Sequence, residues 1–299
     1  MVSTNRKKTN KKKTKRKKDK FQLIKKACKQ FDKPIYLMRH LHTDANLIAD
    51  SFIGKTYKKL RGTKGGSLKH YLPVIPGLQE PSISAWGRND GKKLANKYGI
   101  TKVKHNHYTI IVSPLVRTWI SALLFIRGLM KHKGFILTLL IAPLIEIKGL
   151  TGNTPLLNSY QRFKDEVKDN ETVKFKMCDN INRKKYTCTL KDIVENTDKR
   201  DQLSITDMYS KFKTNKNYKS IKDGGMSIDE SLLMLSTSCK AEFKHMKEIL
   251  VYSHSGAIKN QLTTLDVSKE QINSLNDING YAIIFTIRNN KVKIDIKYP

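Results

Sequence analysis

The stretch IYLMRHLHTDAN (35–46) decides how this chain reads. Four apolar residues, Ile35 to Met38, run straight into Arg39 and His40, and a second histidine, His42, follows. An apolar run that ends in a polar turn is the pattern of a buried strand. Such a strand delivers side chains to the carboxyl edge of a sheet, where open α/β proteins bind their ligands.

The same pattern recurs. Residues 107–112 form a second apolar run and end in Ser113-Pro114-Leu115-Val116-Arg117. Residues 249–252 form another and end in Ser253-His254-Ser255-Gly256, and the apolar segment that begins at Phe135 ends at Glu146. Helical spacing lies between these runs, over residues 21–31, 84–98, 118–132 and 227–246. The final run, YAIIFTIRNNKVKIDIKY (281–298), alternates on both sides of Asn289-Asn290, two residues that tolerate the positive φ of a tight hairpin. Strands alternating with helices predict an α/β three-layer sandwich: a mostly parallel central sheet, helices on both faces and a C-terminal β-hairpin. Residues 50–82, rich in Gly and Lys, read as a loop without the spacing of a nucleotide-binding P-loop. The polar stretch of about 150–225 reads as a cap insertion over the body.

Charge sets the chain apart. The 299 residues carry 58 Lys and Arg against 26 Asp and Glu, a net +32. Residues 1–20 hold eleven basic residues and one Asp, and the rest of the chain still carries a net +22. With no apolar residue between Val2 and Phe21, that segment is expected to be a disordered basic tail. The folded domain is then residues 21–299. The tail suits nucleic acid or an acidic surface, and KKKTKRKK resembles a nuclear-import signal, though a purely solvated tail fits equally well. The N-terminus lacks the apolar core of a secretory signal. The most apolar stretch, residues 135–145, is about half the roughly 20 residues that a membrane span requires. Cys28, Cys178, Cys188 and Cys239 show neither a CxxC pair nor a zinc-type spacing and read as reduced thiols. These features predict an intracellular protein, cytoplasmic or nuclear, without a membrane span.

In a parallel sheet the turns bearing Arg39-His40, Arg117, His254 and Glu146 share one edge and can meet in one pocket. Guanidinium forks bind phosphate oxygens bidentately. A neutral imidazole can attack phosphorus. A carboxylic acid can protonate a leaving oxygen and then, as carboxylate, activate water.

The same residues resemble the histidine phosphatase superfamily, in its phosphoglycerate mutase-like branch. Arg39, His40, Thr43 and Asn46 are similar to its opening R-H-x-x-T-x-x-N. ISAWGRNDGKKLA (83–95) is similar to its helix entry and SPLVRTWISA (113–122) to its S-P-L-x-R-T-x-x-T-A. APLIE (142–146) resembles the segment that carries its acid, and SHSG (253–256) its closing S-H-G-G. The resemblance implies a phosphomonoester hydrolase acting through a phosphohistidine on His40. Arg39, Arg117 and His254 would hold the phosphoryl oxygens, Asn46 would add a hydrogen bond, and Thr43 and Ser255 would support the site. Glu146 would be the general acid and base, with Glu166 and Glu171 as alternatives. No metal and no organic cofactor is implied. The substrate is expected to be a phosphorylated molecule, polyanionic given the basic body.

Two departures stand out: Leu41 occupies a position where the family has a small residue, and Met226 replaces the Glu of its G-E-S. A bulky Leu41 is expected to narrow the pocket or shift His40. A phosphoglycerate-mutase-type phosphoryl transferase is the second reading. A weakly active or inactive domain that binds nucleic acid through its tail is the third.

Overall fold

The computed structural model describes residues 21–44, 46, 81–113, 115–142, 156–177, 227–276 and 278–299. The basic tail, the Gly- and Lys-rich loop up to residue 80, Glu146, Met226 and the cap region from residue 178 onward lie outside the described residues.

A helix α1 (residues 21–31) leads into β1 (Ile35–Arg39). There follow α2 (Ala85–Lys97), β2 (His107–Val112), α3 (Val116–Met130) and β3 (Phe135–Ile141). Next come α4 (Leu156–Lys164), β4 (Glu171–Met177), α5 (Ile228–Ser238) and β5 (Ile249–Ser253). The chain ends with α6 (Ser255–Thr264), α7 (Lys269–Asn273), β6 (Ala282–Arg288) and β7 (Lys291–Lys297).

The strands form one sheet in the order β4-β3-β2-β5-β1-β6-β7. The first five are parallel, β6 runs antiparallel to β1, and β7 closes the hairpin. The hairpin turns on Asn289 and Asn290 with φ of 49° and 61°, both left-handed as the sequence predicts. Both faces are covered, and adjacent residues of β2 show it. Tyr108 reaches the Met130 sulfur at the end of α3, while Thr109 donates to the Glu242 carbonyl beyond α5. Successive strand residues point to opposite faces, so α3 and α5 lie on opposite sides. On the second side, Asp229 of α5 donates its N–H to Gln261 of α6, and Phe31 of α1 stacks edge-on against Phe243.

Several expectations shift. Helix α3 starts at Val116, two residues earlier than expected, and ends where Lys131 turns left-handed at φ 45°. Helix α5 stops at Ser238, and a separate 3-10 turn, Lys240–Phe243, completes the connection to β5. Part of the expected cap belongs to the body: β4 pairs with β3 as an edge strand, and α4 packs Phe163 against Trp119 of α3. The alternation is there in the sequence, since Glu171, Val173 and Phe175 turn inward. Lys174 on the exposed face disguises it, and an edge strand needs only one apolar face. Cys28 is a free, buried thiol, whereas Cys239 is disulfide-bonded, contrary to the reduced state expected for it. No helix among the described residues is long and apolar enough to cross a membrane.

Candidate active site

Strands β2, β5 and β1 lie side by side at the point where the chain, having built outward to β4, returns to insert β5 between its first two strands. Their carboxyl ends deliver Ser113, His254 and Arg39-His40 to one spot. Backbone bonds fix the exits: His40 N–H donates to the Ser253 carbonyl and Ser113 N–H to that of Tyr252. Arg39, His40, Arg117 and His254 are all buried, at 3, 8, 7 and 5% exposure. The His40 and His254 rings lie 5.4 Å apart between centroids. Of the sequence-predicted residues, these four are therefore brought together.

The backbone sets the His40 ring. Its Nδ1 lies 2.8 Å from the Leu41 carbonyl oxygen. That oxygen can only accept, so in the neutral ring the proton sits on Nδ1 and Nε2 carries the lone pair. Leu41 is held in turn, because its N–H donates to Ser121 Oγ at 3.0 Å, and Ser121 donates to the Arg117 carbonyl at 2.6 Å. Arg39 is anchored by donating from Nη1 to the carbonyls of Ile278 and Asn276, the latter at 3.5 Å. It also faces Tyr281, whose phenol is raised by burial and pulled back by the Arg39 charge and by Ser255.

His254 caps the start of α6, and its Nε2 lies 2.7 Å from Ser113 Oγ. Burial pushes its pKa well below the ordinary histidine value, and the charges of Arg117, His40 and Arg39 push it further the same way. A neutral ring next to two guanidiniums can donate a hydrogen bond to an anion and adds no third positive charge. Ser113 is the residue that sequence reasoning missed. The S-P-L motif contained it, but nothing local reveals a partner 141 positions away.

Other candidates take different places. The Asn46 carboxamide oxygen accepts from Thr43 N–H at 3.0 Å and Thr43 Oγ1 at 2.7 Å, so it ties the loop after β1 and leaves only the amide NH2 for a ligand. Thr43 bridges to Ile83, which pins that loop to the entry of α2. Ser84 caps α2 and contacts His42 Nδ1 at 2.8 Å. Leu41 does not narrow the pocket. It is 1% exposed and turns into the core, where Gly91 makes room for it. Of the carboxylates named as alternatives, Glu166 is paired with Arg88, whose hydrogen bond holds its pKa below the ordinary value. Glu171 is paired with Arg127 at the opposite edge of the sheet, at 2.5 Å. His107 is not a free surface group. It contacts Thr138 Oγ1 at 3.0 Å and stacks on His245 at that same far edge.

A cleft of about 320 Å³ also lies at the far edge, lined by Lys92, Lys131, Lys133, Lys168 and the Arg127–Glu171 pair, and shares no residue with the His40 site. Among the described residues, no group of three or more His, Cys, Asp or Glu side chains is placed to hold a metal ion.

No protein-family model matches the chain, and no curated protein sequence matches it. Among solved structures, it is similar to phosphoserine phosphatase from Entamoeba histolytica in complex with 3-phosphoglyceric acid. Identity there is 16%, coverage is 89% of this chain and 97% of that one, and the TM-score is 0.35. It is also similar to the alpha-ribazole phosphatase from Shigella flexneri, with 13% identity, coverage of 89% and 96%, and a TM-score of 0.34.

Proposed function

We propose that this chain hydrolyses phosphomonoesters through a phosphohistidine formed on His40. The observation that carries the reading is the contact between His40 Nδ1 and the Leu41 carbonyl, which leaves Nε2 as an unprotonated nucleophile in a pocket flanked by Arg39, Arg117 and His254. The ordered motifs at 39–46, 83–95, 113–122, 142–146 and 253–256 support it by their resemblance to the histidine phosphatases.

In the first step, His40 Nε2 attacks phosphorus while the bond to the ester oxygen breaks. The guanidiniums of Arg39 and Arg117 and the N–H of His254 neutralise charge on the non-bridging oxygens. Glu146 gives its proton to the leaving oxygen, so the alcohol departs neutral. In the second step, the Glu146 carboxylate takes a proton from water, whose oxygen attacks phosphorus. Phosphate leaves, and the neutral His40 ring is restored. The assignment of Glu146 rests on the APLIE resemblance and on the course of β3. Ala142, just past the end of β3, donates its N–H to the Val112 carbonyl and is the last described residue before Glu146, on the edge that carries His40. Charge stabilisation by two arginines makes a metal unnecessary to this scheme.

A phosphorylated, polyanionic substrate is proposed because the chain is so basic. Residues 1–20 are proposed to contact nucleic acid or an acidic surface. Deleting them is expected to abolish salt-sensitive binding and leave turnover intact.

The test of the main reading is hydrolysis of p-nitrophenyl phosphate without added metal, by wild type and by His40→Ala. Turnover lost in the variant supports it. Turnover that survives in His40→Ala sinks it.

A further inference from the structure

The geometry points to Trp86 and His42 as a stacking shelf for the organic part of the substrate, which makes planar aromatic phosphate esters the favoured class. This inference rests on the reading of His40 as phosphoryl acceptor. Trp86 is the more exposed of the two large hydrophobic side chains that stand open to solvent among the described residues, at 69%. A single exposed aromatic needs no explanation by itself. Its neighbour supplies the second observation. The His42 ring lies against the indole, 5.7 Å between centroids and tilted 53°, yet is itself only 9% exposed. Ser84, the cap of α2, holds it through Nδ1 at 2.8 Å.

Position relative to the phosphate pocket follows from the backbone. Leu41 turns into the core toward Gly91, and His40 and His42 flank it in the chain. Two residues of chain span at most about 7 Å. A phosphoryl group at His40 Nε2 therefore places the group it carries within reach of His42 and the indole. Gly87 keeps the shelf close: a Cβ there would meet the His42 carbonyl at 2.3 Å, so no larger residue lets α2 start this near the loop. A flat ring stacks on such a surface, whereas a small polyol leaves the indole wet.

The full chain and its Trp86→Ala and Trp86→Phe variants are compared on 1-naphthyl phosphate and on n-propyl phosphate. The intrinsic difference between the two leaving groups cancels in the ratio of variant to wild type. Trp86→Ala is expected to lower kcat/KM for the naphthyl ester about tenfold and for the propyl ester by less than about twofold, with Trp86→Phe restoring most of the loss. Equal losses on both esters, or no loss on either, overturn the shelf. If His40-dependent turnover persists in that case, the phosphatase reading still stands.

Binding gives a readout that does not need turnover. Trp119, the other tryptophan, is buried and donates its indole N–H to the Ser113 carbonyl, so quenching at an exposed indole reports Trp86. Benzylphosphonate should quench and bind more tightly than methylphosphonate, and equal affinities overturn the shelf. If wild type turns over no ester at all, this arm still judges the shelf while the phosphatase reading falls. Comparing 4-methylphenyl phosphate with a phosphotyrosine peptide then separates a small aromatic ester from a phosphorylated protein chain.

Discussion

The fit of Leu41 to Gly91 makes a quantitative prediction about how His40 is held. A Cβ added at Gly91 would sit 2.6 Å from Leu41 Cδ1 and 3.0 Å from Leu124 Cβ, and the first distance is too short for either group to stay in place. Gly91→Ala alone therefore overpacks the core at a cost of about 1–3 kcal/mol. The better helix propensity of Ala inside α2 returns about 1 kcal/mol of that. Leu41→Ala alone empties a site that is 1% exposed and should destabilise by about 3–5 kcal/mol. In the double variant the clash with Leu41 is gone and the propensity gain persists, leaving only the 3.0 Å contact with Leu124 Cβ, so Gly91→Ala costs less than it does alone. A coupling energy of roughly 1–3 kcal/mol follows, measured from urea unfolding of the four proteins with linear extrapolation. The backbone of Leu41 receives the His40 Nδ1 proton and binds Ser121 Oγ, so turnover should fall in Leu41→Ala and recover in part in the double variant. Additive effects, within about 0.5 kcal/mol, would refute the idea that Leu41 packs against α2 rather than lining the pocket.

Other outcomes follow from the same geometry. Ser113→Ala removes the partner of His254 Nε2 in a buried site and should lower kcat/KM by about 1–3 kcal/mol, or roughly 5- to 150-fold, as steady-state kinetics would show; unchanged kinetics would remove Ser113 from the site. Stability should depend on pH through His254, whose folded pKa is depressed. The unfolded chain binds a proton at about pH 6.5 and the folded one only at much lower pH, so this contribution is complete above about 6.5 and is lost as pH falls below it, by at most about 1.4 kcal/mol per pH unit. His107 and His245 are lowered by burial and act in the same direction. Urea midpoints across pH 7.5 to 5.5 check this, and a flat profile would contradict the buried, neutral assignment of His254.

Much of the site was legible because parallel strands convert short local patterns into a common edge. Arg39-His40 and His254 each follow an apolar run, and Ser84 caps α2 where SISAWG predicts the helix to begin. The hairpin at Asn289-Asn290 was equally local. Features that depend on partners far apart in the chain were not legible. Leu41 looked obstructive beside His40 because its space comes from Gly91, fifty positions away. The role of Ser113 depends on His254, and Asn46 turns its oxygen back to Thr43 because a free loop needs its own N–H satisfied. Strand β4 was hidden by the lysines of its exposed face, which lowered the apparent hydropathy without breaking the alternation.

The central claim is a phosphoryl group on His40, and the most direct measurement is to trap it. Wild type and Glu146→Gln are mixed with p-nitrophenyl phosphate, whose good leaving group needs little help from an acid, then quenched in alkaline denaturant and mapped by peptide mass spectrometry. The predicted result is one alkali-stable, acid-labile phosphoryl group on His40, accumulating in Glu146→Gln because the base that activates water is missing. Continued turnover with no phosphoryl group on His40, or with the label on another residue, would contradict the account.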